Sequence, residues 1–384
     1  MYRKIVITAL AVIMGITLFA QDAYLDAKSE ETERTYQGGA PYKVKTYSQK
    51  FKVQKPKNII LFIGDGMGVS HVFAGLTANH GNLFIENCRY IGFAKTQSAN
   101  KFITDSSAGG TALACGVKTY NSGLGVDKDT LEVKSILEEA EAEGLATGLV
   151  STSAITHATP ASFIAHQPSR GMYEDIAADF LKTDIDVFIG GGIKHFTERA
   201  DGKNLLTELA AKGYRVESEI EKIKKVKKGK LAGLTADIHN DRIAKRGDML
   251  PVATSTALNI LGNNDKGFFL MVEGSAIDWA GHALSTVYVV EEMLDFDKAI
   301  GEALEFAAKD GETLIVITAD HETGGMAITG GDMSTGMVKA GYPTKGHTAV
   351  MVPVFAYGPG ADEFIGIMEN TEVHAKMKKL LLGN

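Results

Sequence analysis

Acidic and imidazole side chains, the groups that bind metal ions, cluster in a few short segments of the sequence. The densest is VEGSAIDWAGH, residues 272–282. Asp278 and His282 are four residues apart, so on a helical turn both point to one side and can hold one ion. Glu273 directly follows an apolar run and could bind a different, harder cation. Three candidate ligands within ten residues favour a metal site.

Two further apolar runs are followed by candidate ligands. Asp65, between two glycines, is either a turn residue or a carboxylate that bridges cations. Asp320 and His321 offer one oxygen and one nitrogen ligand, and His347 offers another imidazole, although a lone histidine is more often structural. Since the chain has only 2 cysteines, a cysteine-built zinc site is excluded. Oxygen and imidazole groups must therefore bind any metal.

A hydroxyl group begins a run of small residues, TDSSAGGTA (residues 104–112). Ser106 would start a helix there, where free N–H groups and the helix dipole stabilise an alkoxide or a bound phosphate. The alternative is ordinary N-capping by Asp105 or Ser106. No histidine lies nearby in sequence to act as a base, so activation of the serine would have to come from a metal.

The segment HATPASFIAHQPSR (residues 157–170) adds a hydroxyl group and a cation. Thr159 precedes a proline at a predicted helix start, and its hydroxyl could bind a hard cation. Arg170 could bind two oxygens of a phosphate through its planar guanidinium, or pair with a surface carboxylate.

The elements that must position these residues alternate along the chain from Asn58 onwards. Apolar runs predict buried strands at 58–63, 146–150, 187–189, 268–272, 314–318 and 352–357. Amphipathic patterns between them predict helices at 133–143, 173–181, 205–212, 253–261, 287–308 and 371–382. This alternation predicts a doubly wound α/β fold, with a mostly parallel sheet and helices on both faces. Functional side chains of such folds gather at the carboxyl ends of the strands.

Composition limits the function classes. The chain has 384 residues, 40 basic and 47 acidic, for a net charge of −7, which disfavours a nucleic-acid partner. Hydrophobic residues at 45% suffice for a packed core. The lysine-dense segment 220–230 predicts a solvated edge rather than a nucleic-acid or lipid patch.

The N-terminus has the pattern of an export signal. Arg3 and Lys4 precede an apolar run up to Ala20, which is short for a membrane-spanning helix of about 20 residues. We expect a signal peptide at 1–20, with an uncleaved anchor as the alternative, then an N-terminal arm at 21–54 and one catalytic domain at 55–384. The protein would be exported, periplasmic or secreted, without stable membrane insertion after cleavage.

Taken together, the motifs resemble those of one family. IGDGMG, TDSSAGGTA, HATPASFIAH with SR, VEGSAIDWAGH, TADHETGG and GHT occur in the order found in the alkaline phosphatases, and the match covers residues 58–357. The resemblance implies the alkaline-phosphatase-like α/β fold. It also implies a hydrolase of phosphate monoesters that forms a phosphoserine at Ser106, and a homodimer, since family members are often dimers.

The resemblance also implies three metal ions. One zinc ion would be held by Asp278, His282 and His347. The other would be held by Asp65, Asp320 and His321, and would meet the oxygen of Ser106. A magnesium ion would take Asp65, Thr159 and Glu273, while Arg170 would bind the substrate phosphate.

Two residues near the implied phosphate site depart from the pattern of some family members. His157 stands where some have aspartate, so it could reach the third cation, and zinc or cobalt could compete with magnesium there. Trp279 stands where some have lysine. It removes a positive charge beside the phosphate, and we expect weaker inhibition by phosphate.

Rival functions come from different classes. The nearest enzyme is a phosphodiesterase or another member of the same metalloenzyme superfamily. Arg170 favours monoesters as substrates, because a bidentate cation binds a dianionic phosphoryl group more strongly than it binds a diester. The non-enzymatic rival is an exported protein that binds phosphate or zinc without turnover.

Overall fold

A computed structural model describes residues 31–383 of the chain. The expected signal peptide at 1–20 and the first part of the expected arm lie outside the described residues. Within residues 31–383, no helix is both long enough and apolar enough to cross a membrane.

The central element is a ten-stranded sheet. The strands of the described residues are β1 Thr35–Tyr36, β2 Asn58–Gly64, β3 Tyr90–Lys95, β4 Ala146–Ala154, β5 Val187–Gly191, β6 Arg215–Glu217, β7 Leu231–Leu234, β8 Phe268–Gly274, β9 Thr313–Thr318, β10 Glu322–Thr323, β11 Ala327–Asp332, β12 Met337–Gly341, β13 His347–Thr348, β14 Val352–Tyr357 and β15 Gly366–Glu369. The order in the central sheet is β15-β3-β14-β9-β2-β8-β4-β5-β7-β6. Its neighbouring strands are parallel, except that β14 runs antiparallel to both β3 and β9.

Helices connect these strands and cover the sheet. They are α1 Val69–Ala78, α2 Ser106–Cys115, α3 Ile136–Ala142, α4 Ala158–Ala161, α5 Tyr173–Asp179, α6 Ile193–Thr197, α7 Leu205–Ala211, α8 Ile220–Ile223, α9 Ile243–Arg246, α10 Met249–Leu261, α11 Ala276–His282, α12 Thr286–Asp310 and α13 Asn370–Leu382. All residues of β2, β8 and β9 are buried, which requires cover on both faces of the sheet. The doubly wound α/β prediction is confirmed, and each of the six predicted strands and six predicted helices has a counterpart.

Strand register brings the candidate site residues to one edge. β2 lies between β8 and β9, and Ile63 is paired with both Glu273 and Thr318. Asp65 and Asp320 each lie two residues beyond such an aligned position. β4 is parallel to β8 on the side away from β2, and its Ser151 is paired with Glu273. The carboxyl ends of four adjacent strands therefore open onto the same place.

A two-stranded sheet, formed by β10 and β13, closes this edge. It is antiparallel, and it pairs Thr323 with His347 and Glu322 with Thr348. This pairing brings the imidazole of His347 back beside the segment that follows β9. The sequence pattern did not predict it, because strands of two residues have no periodicity to detect.

Candidate active site and metal centre

The loop after β2 carries a carboxylate that is sealed inside the protein. Asp65 is fully buried, and neither of its oxygens has a hydrogen-bond partner within the described residues. Burial, together with the nearby charge of Asp320, raises the pKa of Asp65 well above its ordinary value. A buried carboxylate without partners is costly, and a bound cation would remove that cost.

The glycine after Asp65 allows the loop to lie directly on α11. Gly66 has φ +72°, and a Cβ atom there would lie 2.8 Å from the Cα of Asp278. A larger residue would therefore be both strained and obstructed. This glycine holds Asp65 and Asp278 close together.

One candidate metal group consists of Asp278, His282 and His347. The Nε2 atom of His282 lies 3.3 Å from Asp278 Oδ2, and that of His347 lies 3.5 Å from Asp278 Oδ1. The Nδ1 atom of His282 contacts the carbonyl of Lys345, and that of His347 lies 2.9 Å from the carbonyl of Thr104. Each Nδ1 must therefore carry the hydrogen, which leaves each Nε2 with a free lone pair for a metal.

The pKa of Asp278 is shifted in the opposite direction to those of the carboxylates in the other two groups. Burial would raise the pKa of Asp278, but the neighbouring imidazoles of His282, His347 and His321 outweigh burial and lower it. Asp278 is thus ionised, as a metal ligand must be.

A second candidate group consists of Asp65, Asp320 and His321, all of them buried. The Nε2 atom of His321 lies 3.4 Å from Asp65 Oδ1, 3.3 Å from Asp320 Oδ2 and 3.2 Å from the hydroxyl of Ser106. Burial, with the charges of Asp278 and Glu273, raises the pKa of Asp320 to about 8. Such a cluster of carboxylates suits a divalent cation, which would offset their mutual repulsion.

A third candidate group consists of Asp65, His157 and Glu273, whose ligand atoms lie within 4.8 Å of one another. Glu273 Oε2 accepts a hydrogen bond of 2.5 Å from Ser151, while its Oε1 is buried and has no partner within the described residues. Burial raises the pKa of Glu273, although nearby hydroxyls, including that of Thr159, oppose the shift. Asp65 belongs to both the second and the third group.

The helix α2 presents Ser106 to these groups. Asp105 caps the helix by accepting a hydrogen bond of 3.0 Å from the backbone N–H of Ala108. Asp105, and not Ser106, is therefore the N-cap residue of α2. The Ser106 hydroxyl is directed toward His321. Ser106 is the first residue of α2, and the N-terminus of a helix favours negative charge.

The guanidinium of Arg170 lies near Asp105, which precedes α2. Its Nη1 atom is 3.6 Å from Asp105 Oδ2, and its Nη2 atom is 3.1 Å from the Nε2 atom of His157. Ser122, at φ +83°, joins the two segments: its N–H donates to Asp105 Oδ2 at 2.9 Å and its carbonyl accepts from the N–H of Arg170 at 2.8 Å. These contacts hold a positive charge next to Asp105, the residue before Ser106.

Trp279 and His157 line the same region, and a histidine outside the sequence motifs joins them. The Trp279 ring is centred 6.1 Å from that of His157 and 4.9 Å from that of His239. His239 accepts a hydrogen bond of 3.0 Å from the N–H of Ala154, and burial lowers its pKa to about 4. Sequence reasoning missed His239, since no neighbouring residue in the chain suggests a role for it.

The remaining sequence features lie outside the site. Cys88 and Cys115 are both free and buried. In the lysine-dense segment, Lys222 is paired with Glu219 at 2.6 Å, and Lys224 and Lys230 also contact carboxylates. That segment is a solvated edge, as expected.

The fold, with candidate metal groups at one edge of its central sheet, defines a class: a metal-dependent α/β enzyme. The sequence profile of the alkaline phosphatase family matches residues 56–340. Alkaline phosphatase 4 of Bacillus subtilis is 34% identical over 94% of this chain and 94% of its own length. Alkaline phosphatase of Escherichia coli is 33% identical over 85% of this chain and 86% of its own.

Solved structures agree. Alkaline phosphatase from the Antarctic bacterium TAB5 is 41% identical, covers 86% of this chain and 99% of its own, and has a TM-score of 0.81. A variant of that enzyme, with a histidine replaced by aspartate, has Mg bound in its M3 site. This chain belongs to the alkaline phosphatase family, and it is a phosphatase that hydrolyses phosphate monoesters. The predicted family and activity are confirmed. The alternative prediction of a non-catalytic binding protein is not confirmed.

Proposed function

We propose that the chain hydrolyses phosphate monoesters through a phosphoserine at Ser106, supported by two zinc ions and one magnesium ion. The observation that carries this proposal is the position of the Ser106 hydroxyl. It lies 3.2 Å from His321 Nε2, a member of the second of three candidate metal groups, and that group shares Asp65 with the third. Bound metal would lower the pKa of the attacking hydroxyl and neutralise charge on the reacting oxygens.

The donor sets support the assignment of the ions. Asp278, His282 and His347 combine imidazole with carboxylate, and His321 does so with Asp65 and Asp320, which suits zinc. Asp65, Glu273 and Thr159 offer oxygen, which suits magnesium. His157 adds a nitrogen to that third group, so zinc or cobalt would compete there. Mg in the M3 site of the TAB5 variant supports the idea that a carboxylate in place of histidine favours magnesium.

The reaction then has two steps at Ser106. In the first, the serine oxygen attacks the phosphorus, the bond from phosphorus to the alcohol oxygen breaks, and the alcohol leaves with a proton. In the second, the oxygen of water attacks the phosphorus, the phosphoserine bond breaks, and Ser106 regains its proton as phosphate is released. The N–H groups that begin α2 donate to the phosphoryl oxygens in both steps.

Arg170 is proposed to bind two non-bridging oxygens of the phosphoryl group. Its partner Asp105 lies 3.6 Å away, and this contact orients the guanidinium toward the segment that begins α2. A monoester dianion carries two negative charges on its three non-bridging oxygens, whereas a diester carries one negative charge on two, so the cation attracts the monoester more strongly. We expect a much higher kcat/KM for a monoester than for a diester of the same leaving group.

Replacement of the nucleophile tests the proposal. Ser106→Ala should lower kcat by about 10³-fold or more and abolish phosphoserine, measured by mass spectrometry of protein quenched in acid with substrate. Ser107→Ala is the matched control: the Ser107 hydroxyl donates to Asp105 at 3.2 Å, and this variant should keep the phosphoenzyme. Phosphoserine in the Ser106→Ala protein would disprove the assignment.

We also infer one catalytic domain at 55–384, since the central sheet takes strands from Asn58 to Glu369. The basic and apolar pattern of residues 1–20 supports export to the periplasm or the medium. Fractionation of cells that express the full chain would test this localisation, and a cytoplasmic, unprocessed product would contradict it.

A homodimer is proposed on the basis of an uncovered sheet face. Ile91 and Phe93 on β3 are 49% and 36% exposed, and Ile367 on β15, in register with Phe93, is 67% exposed. Such contiguous apolar surface suits a second copy of the chain. Ile367→Lys should shift the sedimentation coefficient toward that of a monomer, whereas Leu131→Lys, at a site 64% exposed, should not. An unchanged dimer in the Ile367→Lys protein would place the interface elsewhere.

A further inference from the structure

One buried hydroxyl lies between the first and second metal groups. Thr323, on β10, is fully buried, and its Oγ1 atom donates a hydrogen bond to Asp278 Oδ1. The same Oγ1 atom lies 3.3 Å from the Nδ1 atom of His321. Thr323 thus contacts a ligand of each group without belonging to either.

The direction of these two hydrogen bonds follows from the chemistry of the groups. An ionised carboxylate only accepts hydrogen bonds, so the single hydroxyl hydrogen of Thr323 must go to Asp278. The hydroxyl oxygen can then only accept from His321, which requires the hydrogen of that imidazole to be on Nδ1. The Nε2 atom of His321 is left with its lone pair, and it is the atom that faces Asp65, Asp320 and Ser106.

The surroundings of Thr323 fix its position. Its backbone N–H donates to the carbonyl of Gly66 at 3.1 Å, and the residue is paired with His347 in the two-stranded sheet. A Cβ atom on Gly66 would lie 2.7 Å from the hydroxyl oxygen, and one on Gly281 would lie 2.9 Å from the Thr323 methyl group. Both glycines leave just enough room for this side chain, so its hydroxyl is held in one orientation.

We infer that Thr323 is a positioning residue that couples the two zinc groups. It fixes the carboxylate orientation of Asp278 in one group and the tautomer of His321 in the other. Loss of the hydroxyl should therefore weaken metal binding at both groups, while the third group of Asp65, His157 and Glu273 keeps its ion. This inference rests on the proposed function, because it takes both groups to be zinc sites.

The test compares two substitutions at one position. Thr323→Val keeps the shape of the side chain but removes the hydroxyl, and Thr323→Ser keeps the hydroxyl. Full-length protein is stripped of metal and titrated with Zn²⁺ in competition with a chromophoric chelator, and the ions bound are counted by native mass spectrometry. Loss of a group that orients metal ligands weakens metal affinity by about 10- to 100-fold. We expect that loss for two ions in the valine variant, and affinity within about threefold of wild type in the serine variant.

Thr348→Val is the matched control. Thr348 lies in the same two-stranded sheet, and its hydroxyl donates to Glu322 instead of to a proposed ligand. The control should bind both zinc ions as the wild type does. Wild-type affinity in Thr323→Val, an equal loss in Thr323→Ser or in Thr348→Val, or weakening at one group alone would overturn the inference. A wild-type protein that binds no zinc would instead refute the proposed function.

Discussion

A single methyl group added to α2 should displace a proposed metal ligand. Gly109, on the second turn of α2, packs directly against the segment after β9. A Cβ atom there would lie 2.8 Å from the carbonyl oxygen of Asp320 and 2.9 Å from its Cβ atom. Since ordinary contacts begin at 3.4 Å, Gly109→Ala requires a separation of about 0.6 Å between helix and ligand segment.

The size of the effect follows from two opposing contributions to stability and one contribution to metal binding. Overpacking a buried contact lowers the free energy of unfolding by about 1–3 kcal/mol. Alanine in place of glycine within a helix raises it by about 1 kcal/mol. The metal-free protein should therefore lose no more than about 2 kcal/mol. Metal sites tolerate only about 0.2 Å of error in ligand distance, so zinc affinity at the group of Asp65, Asp320 and His321 should fall by at least about tenfold.

Two measurements separate these effects. Thermal unfolding of metal-stripped protein gives the stability change, and zinc titration gives the affinity. Gly75→Ala is the control. Gly75 is a buried helical glycine on α1, and a Cβ atom added there would lie 3.3 Å from the Cβ atom of Met293, which is not a proposed ligand. The Gly75→Ala protein should bind zinc as the wild type does. Wild-type zinc affinity in Gly109→Ala would refute the view that close packing of α2 sets the ligand geometry.

Three further predictions concern charge at the site. Burial and neighbouring carboxylates raise the pKa of Asp320 to about 8, so the folded metal-free protein holds a proton that the unfolded chain has released. The melting temperature of the metal-free protein should therefore fall as pH rises from about 6 to about 9. A melting temperature that rises over that range in the presence of chelator would contradict this prediction. The metal-loaded protein should lack this fall. Trp279→Lys adds a positive charge beside the phosphate site and should tighten inhibition by inorganic phosphate by about tenfold; an unchanged inhibition constant would refute the proposed proximity. His157→Asp replaces nitrogen with oxygen in the third group and should raise Mg²⁺ affinity about tenfold, measured by calorimetry, whereas equal or weaker affinity would remove His157 from that group.

The sequence predicted the strands and the ligands at their ends because both leave local patterns. Asn58–Gly64 is a continuous apolar run, and the chemistry of Asp65 directly follows it. Asp278 and His282 share a helical spacing, and the structure places them on one side of α11. Motif order then identified the family, and with it the grouping of ligands that lie more than 200 residues apart, such as Asp65 and Asp320.

Other features depend on tertiary contacts and leave no local signal. The pairing of β10 with β13, which returns His347 to the site, involves strands of two residues each. The hydroxyls of Thr323 and Ser151 meet Asp278 and Glu273 only across the fold, so no local sequence pattern indicates these hydrogen bonds. The short strands β6 and β7 at the sheet edge also escaped prediction, since they carry too few residues for a pattern.

Metal content of the active protein tests the central claim most directly. Elemental analysis of full-length protein, purified without chelator and assayed for phosphate monoester hydrolysis, should give two zinc ions and one further divalent cation per chain. Activity should disappear on chelation and return when zinc and magnesium are restored. Full activity in protein that contains no zinc would contradict the account.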